Sequence, residues 1–245
     1  MRRVGHADET DSRALATVQK TKTRREEAMN KPNNILEHEV RGELDWDPHL
    51  DASRVTVKAD TGKVVLSGVV YSYPESLHAE DDAWSVKGVT DVEDRLLVGF
   101  LGEAIADADL ARECVEALEA DDLVPKGSVT VEVGRGWVTV YGRVRHHFQR
   151  MAAKHDIGRI KGVLGISDKV TIDADPIPND VSARITTALE RSSLLHDAEI
   201  EVSNEGNVVY LDGTVQSYAA RSKAEDVAWS APGVSDVIDR IRIIY

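Results

Sequence analysis

The sequence has little cysteine and few aromatic residues. Of its 245 residues one is cysteine, Cys114, and aromatic side chains make up 5%. A single cysteine excludes an intramolecular disulfide and leaves no cysteine-based metal or redox motif, which is compatible with a reducing compartment. The scarcity of aromatic residues predicts cores built from small aliphatic side chains. Because charged residues account for 30% and hydrophobic residues for 42%, most of the chain can still bury a core.

Long apolar runs and an excess of positive charge are also missing. No run approaches the 18 apolar residues of a membrane span, and the N-terminus lacks the apolar region of a secretory signal. We therefore predict a cytoplasmic protein, with peripheral membrane association left open. The formal net charge of −13 repels a phosphate backbone, so we expect no nucleic acid partner.

The N-terminal segment differs in composition from the rest of the chain. Residues 1–31 carry eight Lys/Arg and five Asp/Glu, a net charge of +3, and show little hydrophobic periodicity. Such a composition is typical of a chain that cannot bury enough apolar surface to fold. We expect residues 1–32 to form a disordered tail.

The remainder of the chain is a threefold internal repeat. The stretch "AWSVKGVTDVEDRL" at 83–96 returns as "AWSAPGVSDVIDRI" at 228–241, and a more divergent copy, "IGRIKGVLGISDKV", stands at 157–170. Steps of 74 and 71 residues superpose the three copies over about 60 positions without an insertion. Because repeats determine the architecture, the chain is predicted to hold three domains, at 33–98, 109–172 and 179–245.

Each repeat has the pattern of two helices and three strands. Apolar residues at a spacing of four predict a first helix, with Asn or Asp before it as the N-cap. An alternating segment, a glycine-containing turn and a more continuous apolar segment predict a hairpin. A second helix, predicted at about 75–87, 149–161 and 220–231, leads into a third strand. The proposed N-caps are Asn33 or Asn34, Asp109, and Asn179 or Asp180, and the turn glycines are Gly62, Gly136 and Gly206.

The order αββαβ defines an α+β fold class. The connection from strand two through the second helix to strand three should be a right-handed crossover, which makes those strands parallel. Each repeat is therefore predicted to be a three-stranded mixed sheet with both helices on one face.

Two sets of glycines recur at equivalent positions and are predicted to be structural. A glycine inside strand two costs stability unless another chain segment comes close, and we expect a helix there. A glycine after the second helix is typical of a left-handed C-cap. The strand-two glycines are Gly68, Gly142 and Gly213, and those after the helix are Gly88, Gly162 and Gly233.

The repeat resembles the BON domain, a bacterial family named for osmotically inducible and nodulation proteins. The resemblance lies in the αββαβ order, the strand-two glycine of "LSGVV", "VYGRV" and "LDGTV", and the closing "KGVTDV", "KGVLGI" and "PGVSDV". It implies a non-enzymatic module of bacterial stress responses and envelope-associated assemblies, some members of which bind phospholipid or potassium. The pattern residues are glycines and apolar positions, so the resemblance implies no catalytic residue. This sequence differs from the familiar osmotic-shock members in two respects: we find no secretory signal in it, and it has three copies of the domain.

The sequence offers no convincing catalytic or metal site. His146, His147 and His155 cluster, but at no recognised ligand spacing, so we expect no metal there and no cofactor. The acidic groups of helix two, such as Glu80 and Asp81, are predicted to be solvated, because a domain of this size has little volume for a catalytic cleft. Cys114 replaces an aliphatic residue and should be a buried, inert thiol.

The middle repeat carries the most distinctive surface. Its "GRVRHHFQR" places basic, histidine and aromatic residues where strand two ends and helix two begins, next to a helix N-terminus that favours anions. These side chains could bind a lipid phosphate or another anion. Alternatively, the arginines pair with the acidic outer repeats. The residues of this candidate site are Arg143, Arg145, His146, His147, Phe148 and Arg150.

Trp84 and Trp229 stand at equivalent positions of the first and third repeats, where the second has Gly158. A tryptophan in a small repeat is typically a core or inter-repeat anchor, and ligand stacking is the alternative. We predict inter-repeat packing for both tryptophans.

Three functions remain open. The protein is interpreted as a bacterial stress-associated binding protein for an anionic phospholipid surface, with a potassium or other cation sensor and a protein-binding scaffold or chaperone-like role as alternatives. The sequence does not fix the ligand, the stress or the oligomeric state.

Overall fold

A computed structural model describes residues 31–99 and 105–244 as three consecutive αββαβ units. Most of the predicted tail, residues 1–30, lies outside the described residues. In the first repeat the elements are α1 (Asn33–Trp46), β1 (Val55–Asp60), β2 (Lys63–Val70), α2 (Tyr73–Ser85) and β3 (Asp91–Val98). In the second they are α3 (Asp107–Ala120), β4 (Val129–Gly134), β5 (Trp137–Val144), α4 (His147–Gly158) and β6 (Gly165–Ile172). In the third they are α5 (Val181–Glu190), β7 (Glu199–Glu205), β8 (Val208–Val215), α6 (Tyr218–Trp229) and β9 (Asp236–Ile243).

Each repeat forms its own three-stranded mixed sheet, which confirms the predicted α+β fold. In the first sheet β2 lies in the centre, antiparallel to β1 and parallel to β3. Leu66 of β2 lies opposite Val57 of β1 on one side and opposite Asp94 of β3 on the other. The other two sheets repeat this order and these directions. A parallel β2–β3 pair requires the crossover that α2 supplies.

The core of each repeat lies between one face of the sheet and its two helices. Residues of β2 alternate in burial, with Val64, Leu66 and Val70 enclosed. The facing helix α1 buries Leu36, Val40 and Leu44 at the spacing of four that the sequence shows. Strands with period two and helices with a stripe of four-residue spacing therefore meet across one apolar layer, as the sequence predicts.

The strand-two glycines are required by a neighbouring strand, so the predicted close helix is wrong. A Cβ added to Gly68 would lie 2.0 Å from the backbone oxygen of Arg54, which ends a single 3₁₀ turn (Ala52–Arg54) directly before β1. Gly142 and Gly213 meet Ser128 and Glu199 in the same way. Their φ angles, +123° for Gly68, also disfavour any L side chain.

The glycines after the second helix have the predicted positive φ but do not cap the helix. Helix α2 ends at Ser85, and Gly88 stands three residues later with φ +106°. It belongs to a turn in which the Val89 N–H donates to the Val86 carbonyl at 3.2 Å. A positive φ at the third position of such a turn favours glycine, and Gly162 and Gly233 occupy equivalent turns.

The proposed side-chain caps of the first helices serve another purpose. Asn33 is the first residue of α1, and its side-chain oxygen accepts from the Thr61 N–H at 2.9 Å. Asp109, the proposed cap of α3, lies inside that helix and accepts from Arg112 at 2.8 Å, so that prediction is wrong. At the start of α3 it is the Asp107 carboxylate that accepts from the N–H groups of Arg135 and Gly136. Asp180 is the N-cap of α5 but makes no side-chain capping bond. The polar residues at these helix starts thus hold the β-hairpin turns of the first two repeats.

The second helices of the three repeats contact one another in cyclic order. Trp84 at the end of α2 stacks on Tyr218 at the start of α6, and Trp229 at the end of α6 stacks on His147 at the start of α4. At the end of α4, Gly158 lies against the ring of Tyr73 at the start of α2. The first and third repeats share one continuous apolar core, and Tyr73 packs onto the core of the second. We call α2, α4 and α6 the helix ring.

Candidate functional site

The predicted basic cluster lies where β5 ends and α4 begins. Val144 is the last residue of β5 and buries its side chain, whereas the neighbouring Arg143 and Arg145 are exposed. The side-chain oxygen of Gln149 accepts from the N–H groups of Arg145 and His146, which fixes the chain as it enters the helix. The alternation of the strand therefore points both arginines into solvent.

The ion pairs of the cluster stay within the middle repeat and the linker that follows it. Arg150 Nε lies 2.7 Å from Asp168 of β6, and both side chains are largely enclosed. Arg145 Nη1 lies 3.4 Å from Asp175, with both side chains exposed. Within the described ranges, neither Arg145 nor Arg150 pairs with a carboxylate of the acidic outer repeats, so the alternative interpretation does not hold for these two arginines. Arg150 is thus a structural residue, and Arg145 makes a weak surface pair.

His147 is part of the helix ring. Its imidazole stacks on the Trp229 indole with centroids 3.8 Å apart and planes at 14°. Its Nδ1 is enclosed and has no hydrogen-bond partner within the described residues. Burial, followed by the nearby charge of Arg150, lowers the pKa of His147, which favours the neutral ring. This side chain faces another repeat and does not present itself to a ligand.

Exposed apolar side chains continue the basic surface along α4. Phe148 is 53% exposed and stacks on the exposed His146 at 5.3 Å. Met151, three residues further and hence on the same helix face, is 44% exposed. We define the α4 surface as Arg143, Arg145, His146, Phe148 and Met151. It combines positive charge with apolar groups that the fold does not bury.

The two predicted tryptophans lie at contacts between repeats. Trp84 is 8% exposed and stacks on Tyr218 with centroids 4.5 Å apart. The indole N–H of Trp229 donates to Glu225 at 3.3 Å while its face covers His147. At Gly158 an added Cβ would lie 3.2 Å from the Tyr73 ring, so the tyrosine occupies the space that tryptophan fills elsewhere.

The prediction that the acidic residues of the second helices are solvated holds for Asp81 and Asp226, which are exposed, but Glu80 and Asp82 are partly buried. Glu80 on α2 is partly buried and Asp94 on β3 is more exposed, and desolvation is the main cause that raises the pKa of each. Asp168 and Asp239, the equivalents of Asp94, pair with Arg150 and Arg221, but the first repeat has Ser76 in place of that arginine. Asp94 therefore lacks the arginine partner that its two counterparts have.

A groove lies beside the end of α2 and the start of α6. Its volume is about 970 Å³, and its walls include Trp84, Tyr218, Leu194 and Ile244.

The single cysteine, Cys114, is enclosed in the core of the second repeat, and burial raises the pKa of its thiol to about 11. The thiol is thus protonated and shielded, which disfavours nucleophilic chemistry.

One group of polar residues was not singled out from the sequence. Asp47, after α1, lies between the imidazoles of His49 and His78, and the carboxylate of Asp82 is close by on α2. Burial, then the charges of Asp47 and Glu43, raises the pKa of Asp82 to about 6. A comparison of equivalent positions could have drawn attention to the histidines, because neither is repeated. The second and third repeats both have Leu in place of His49, and they have Ala and Lys in place of His78. The histidines that were singled out, His146, His147 and His155, have separate neighbours.

The fold and its repeated glycines define a BON domain protein. Residues 32–99, 106–174 and 179–245 each match the family model described as the BON domain. The chain therefore belongs to the BON domain family and carries three copies. Among the described residues, no helix is long and apolar enough to cross a membrane.

Known proteins similar to this chain include one curated relative and two solved structures. Osmotically-inducible protein Y of Escherichia coli (strain K12) is 25% identical over 170 residues, which cover 66% of this chain and 85% of that protein. A structure of CdsD, a structural protein of the type III secretion system of Chlamydia trachomatis, is 14% identical with a TM-score of 0.23 and covers 84% of this chain and 91% of its own. The C-terminal domain of CdsD, also 14% identical, has a TM-score of 0.24 and covers 86% and 98%.

Proposed function

We propose that this protein is a non-enzymatic, stress-associated binding protein whose α4 surface contacts anionic phospholipid. The similarity to a protein named as osmotically inducible supports the stress association. The observation that carries the lipid proposal is the exposure of Phe148 and Met151 beside Arg143 and Arg145. Apolar side chains that enter the headgroup region and basic side chains that attract anionic lipid act together in peripheral membrane binding.

The charge distribution supports a contact through the middle repeat. Residues 33–98 carry 6 Lys/Arg and 14 Asp/Glu, and residues 179–245 carry 6 and 11, whereas residues 109–172 carry 10 and 9. An anionic membrane repels the acidic outer repeats, whereas the nearly neutral middle repeat is not repelled. The protein would therefore approach the surface with α4 in front, and its binding would weaken with salt.

Co-sedimentation with vesicles containing phosphatidylserine or phosphatidylglycerol tests this proposal. The variant Arg143→Glu with Arg145→Glu should lose binding by about tenfold or more, since each basic residue near the surface is worth about 1 kcal/mol. Arg112→Glu with Lys126→Glu is the matched control, because both residues are exposed in the same repeat and the change in net charge is the same. Equal binding by both variants would contradict the proposal.

The apolar half of the surface needs its own variant. Phe148→Ser should weaken vesicle binding, whereas Leu97→Ser, at an exposed leucine on β3, should not. Binding that is unaffected by salt or by Phe148→Ser would point away from lipid. A cation-specific rise in melting temperature would then favour an ion sensor, and retention of proteins in a pull-down would favour a scaffold.

A further inference from the structure

The loop after α1 brings three metal-ligating side chains together in the first repeat. Asp47 Oδ1 lies 2.8 Å from Nδ1 of His49, and Asp47 Oδ2 lies 3.2 Å from Nδ1 of His78. The three ligand atoms lie within 4.8 Å of one another. The two imidazoles are stacked, with centroids 5.1 Å apart and planes at 9°. Both rings thus turn the same nitrogen toward one carboxylate.

The carboxylate in this group is fixed by the backbone. The side chain of Asp47 is only 12% exposed, and its Oδ1 also accepts from the His49 N–H at 2.8 Å. This short turn recurs in the second repeat, where Asp121 accepts from the Leu123 N–H at 2.7 Å. The aspartate therefore has a structural role in both repeats. The turn does not require a histidine two residues after the aspartate, because the second repeat has Leu123 there.

The histidines are additions of the first repeat. Their equivalents are Leu123 and Ala152 in the second repeat and Leu194 and Lys223 in the third. The side chain of His49 is 70% exposed and that of His78 is 44% exposed, so neither is placed there to fill a core. Exposure also leaves room for an ion and for water to complete its coordination.

A fourth group adds negative charge. Asp82 stands four residues after His78 on α2, so the two side chains share one face of the helix. Its Oδ2 is enclosed and has no hydrogen-bond partner in the described part of the chain. A buried carboxylate oxygen without a donor is costly, and a bound cation would neutralise it.

We propose that Asp47, His49 and His78 form a binding site for a divalent transition metal of the zinc class, with Asp82 as a nearby carboxylate that strengthens binding. Two imidazoles and one carboxylate suit Zn²⁺, Co²⁺ or Ni²⁺, whereas Ca²⁺ and Mg²⁺ prefer oxygen ligands alone. On binding, each neutral imidazole would carry its proton on Nε2 and offer Nδ1 to the metal. The site is separate from the α4 surface and independent of the proposed lipid contact.

Cobalt titration of untagged, metal-free protein tests the site. One equivalent of Co²⁺ should produce the visible absorption bands of a tetrahedral complex, and Zn²⁺ should displace it. The variant His49→Leu with His78→Ala should weaken binding at least about 100-fold, because it removes two of three ligands. These are the residues of the second repeat, so the variant is compatible with the fold.

Two further variants sharpen the experiment. Asp82→Asn should weaken Co²⁺ binding about tenfold while leaving the absorption bands in place, as expected for a supporting group. His155→Ala, at an exposed histidine of the second repeat, should change nothing. Absence of tetrahedral bands in the unmodified protein, or unchanged affinity of the doubly substituted variant with its circular dichroism intact, would overturn the proposal.

Discussion

The indole of Trp84 stacks on the phenol ring of Tyr218, with centroids 4.5 Å apart and planes at 11°. This contact joins the first repeat to the third. Trp229 joins the third to the second through His147, and Gly158 joins the second to the first by receiving Tyr73. Two aromatic stacks and one contact of a glycine with a tyrosine ring thus close the helix ring.

Replacement of the Trp84 anchor should destabilise the protein. Trp84→Ala should lower the free energy of unfolding by about 3 kcal/mol, since it leaves a cavity between two repeats. Trp46→Ala, at an 84% exposed tryptophan, should change it by less than about 0.5 kcal/mol. Urea denaturation followed by circular dichroism measures both, and similar losses in the two variants would show that the contact is not an anchor.

The second prediction concerns pH and His147. Because burial lowers its pKa in the folded state, the unfolded chain takes up the proton first as the pH falls below the usual value of about 6.5. The stability associated with the neutral ring is present above that pH and is lost on acidification. His147→Phe keeps an aromatic ring against Trp229 and cannot titrate, so it should lose less stability between pH 7.5 and pH 5 than the unmodified protein. His155→Phe is the control. The prediction fails if His155→Phe and His147→Phe lose the same amount of stability over this pH range.

A third prediction follows from two carboxylates in the middle repeat. Burial, and then the hydrogen bond and charge of Asp121, raises the pKa of Asp156. As the pH falls, Asp156 therefore takes up its proton earlier in the folded state than in the unfolded state, and its ionisation at neutral pH costs stability. Asp156→Asn should raise the melting temperature at pH 7.5, and the gain should shrink as the pH falls toward 4. Asp122→Asn, at the exposed neighbouring position, should have little effect, and a lower melting temperature for Asp156→Asn would contradict this account.

The fourth prediction separates a required glycine from a dispensable one. Gly68→Ala should cost more than about 2 kcal/mol, because its Cβ would clash with the Arg54 backbone at a positive φ. In contrast, Gly42 lies inside α1 with open space around it, so Gly42→Ala should stabilise by about 0.5–1 kcal/mol. Thermal melts of the two variants should shift in opposite directions, and a shift in the same direction would refute the argument.

Much of the fold could be predicted because one hydrophobic pattern is written three times. The strand order, the mixed sheet and the helix faces follow from periodicity and from the crossover rule. The second helices begin two residues earlier than predicted, since Ser72 and Ser217 act as their N-caps. The segment that packs against Gly68 was wrongly predicted. A glycine inside a strand indicates that another backbone segment comes close, but the sequence does not show which segment it is.

The sites were harder to predict than the fold. The tryptophans could be singled out by comparing repeats, but nothing local indicates that Trp84 meets Tyr218 and Trp229 meets His147. His49 and His78 are far apart in sequence and meet only because α2 packs beside the end of α1. Side chains joined by tertiary packing leave no fixed spacing for a motif to reveal.

The closed helix ring also bears on how the chain holds together when it is cut. Because the third repeat contacts both others through side chains, the peptide linker at 173–178 is not its only attachment. Residues 1–174 and 175–245 produced as separate polypeptides should then reassemble by fragment complementation. Covalent continuity would serve mainly to raise the local concentration of one repeat near the next.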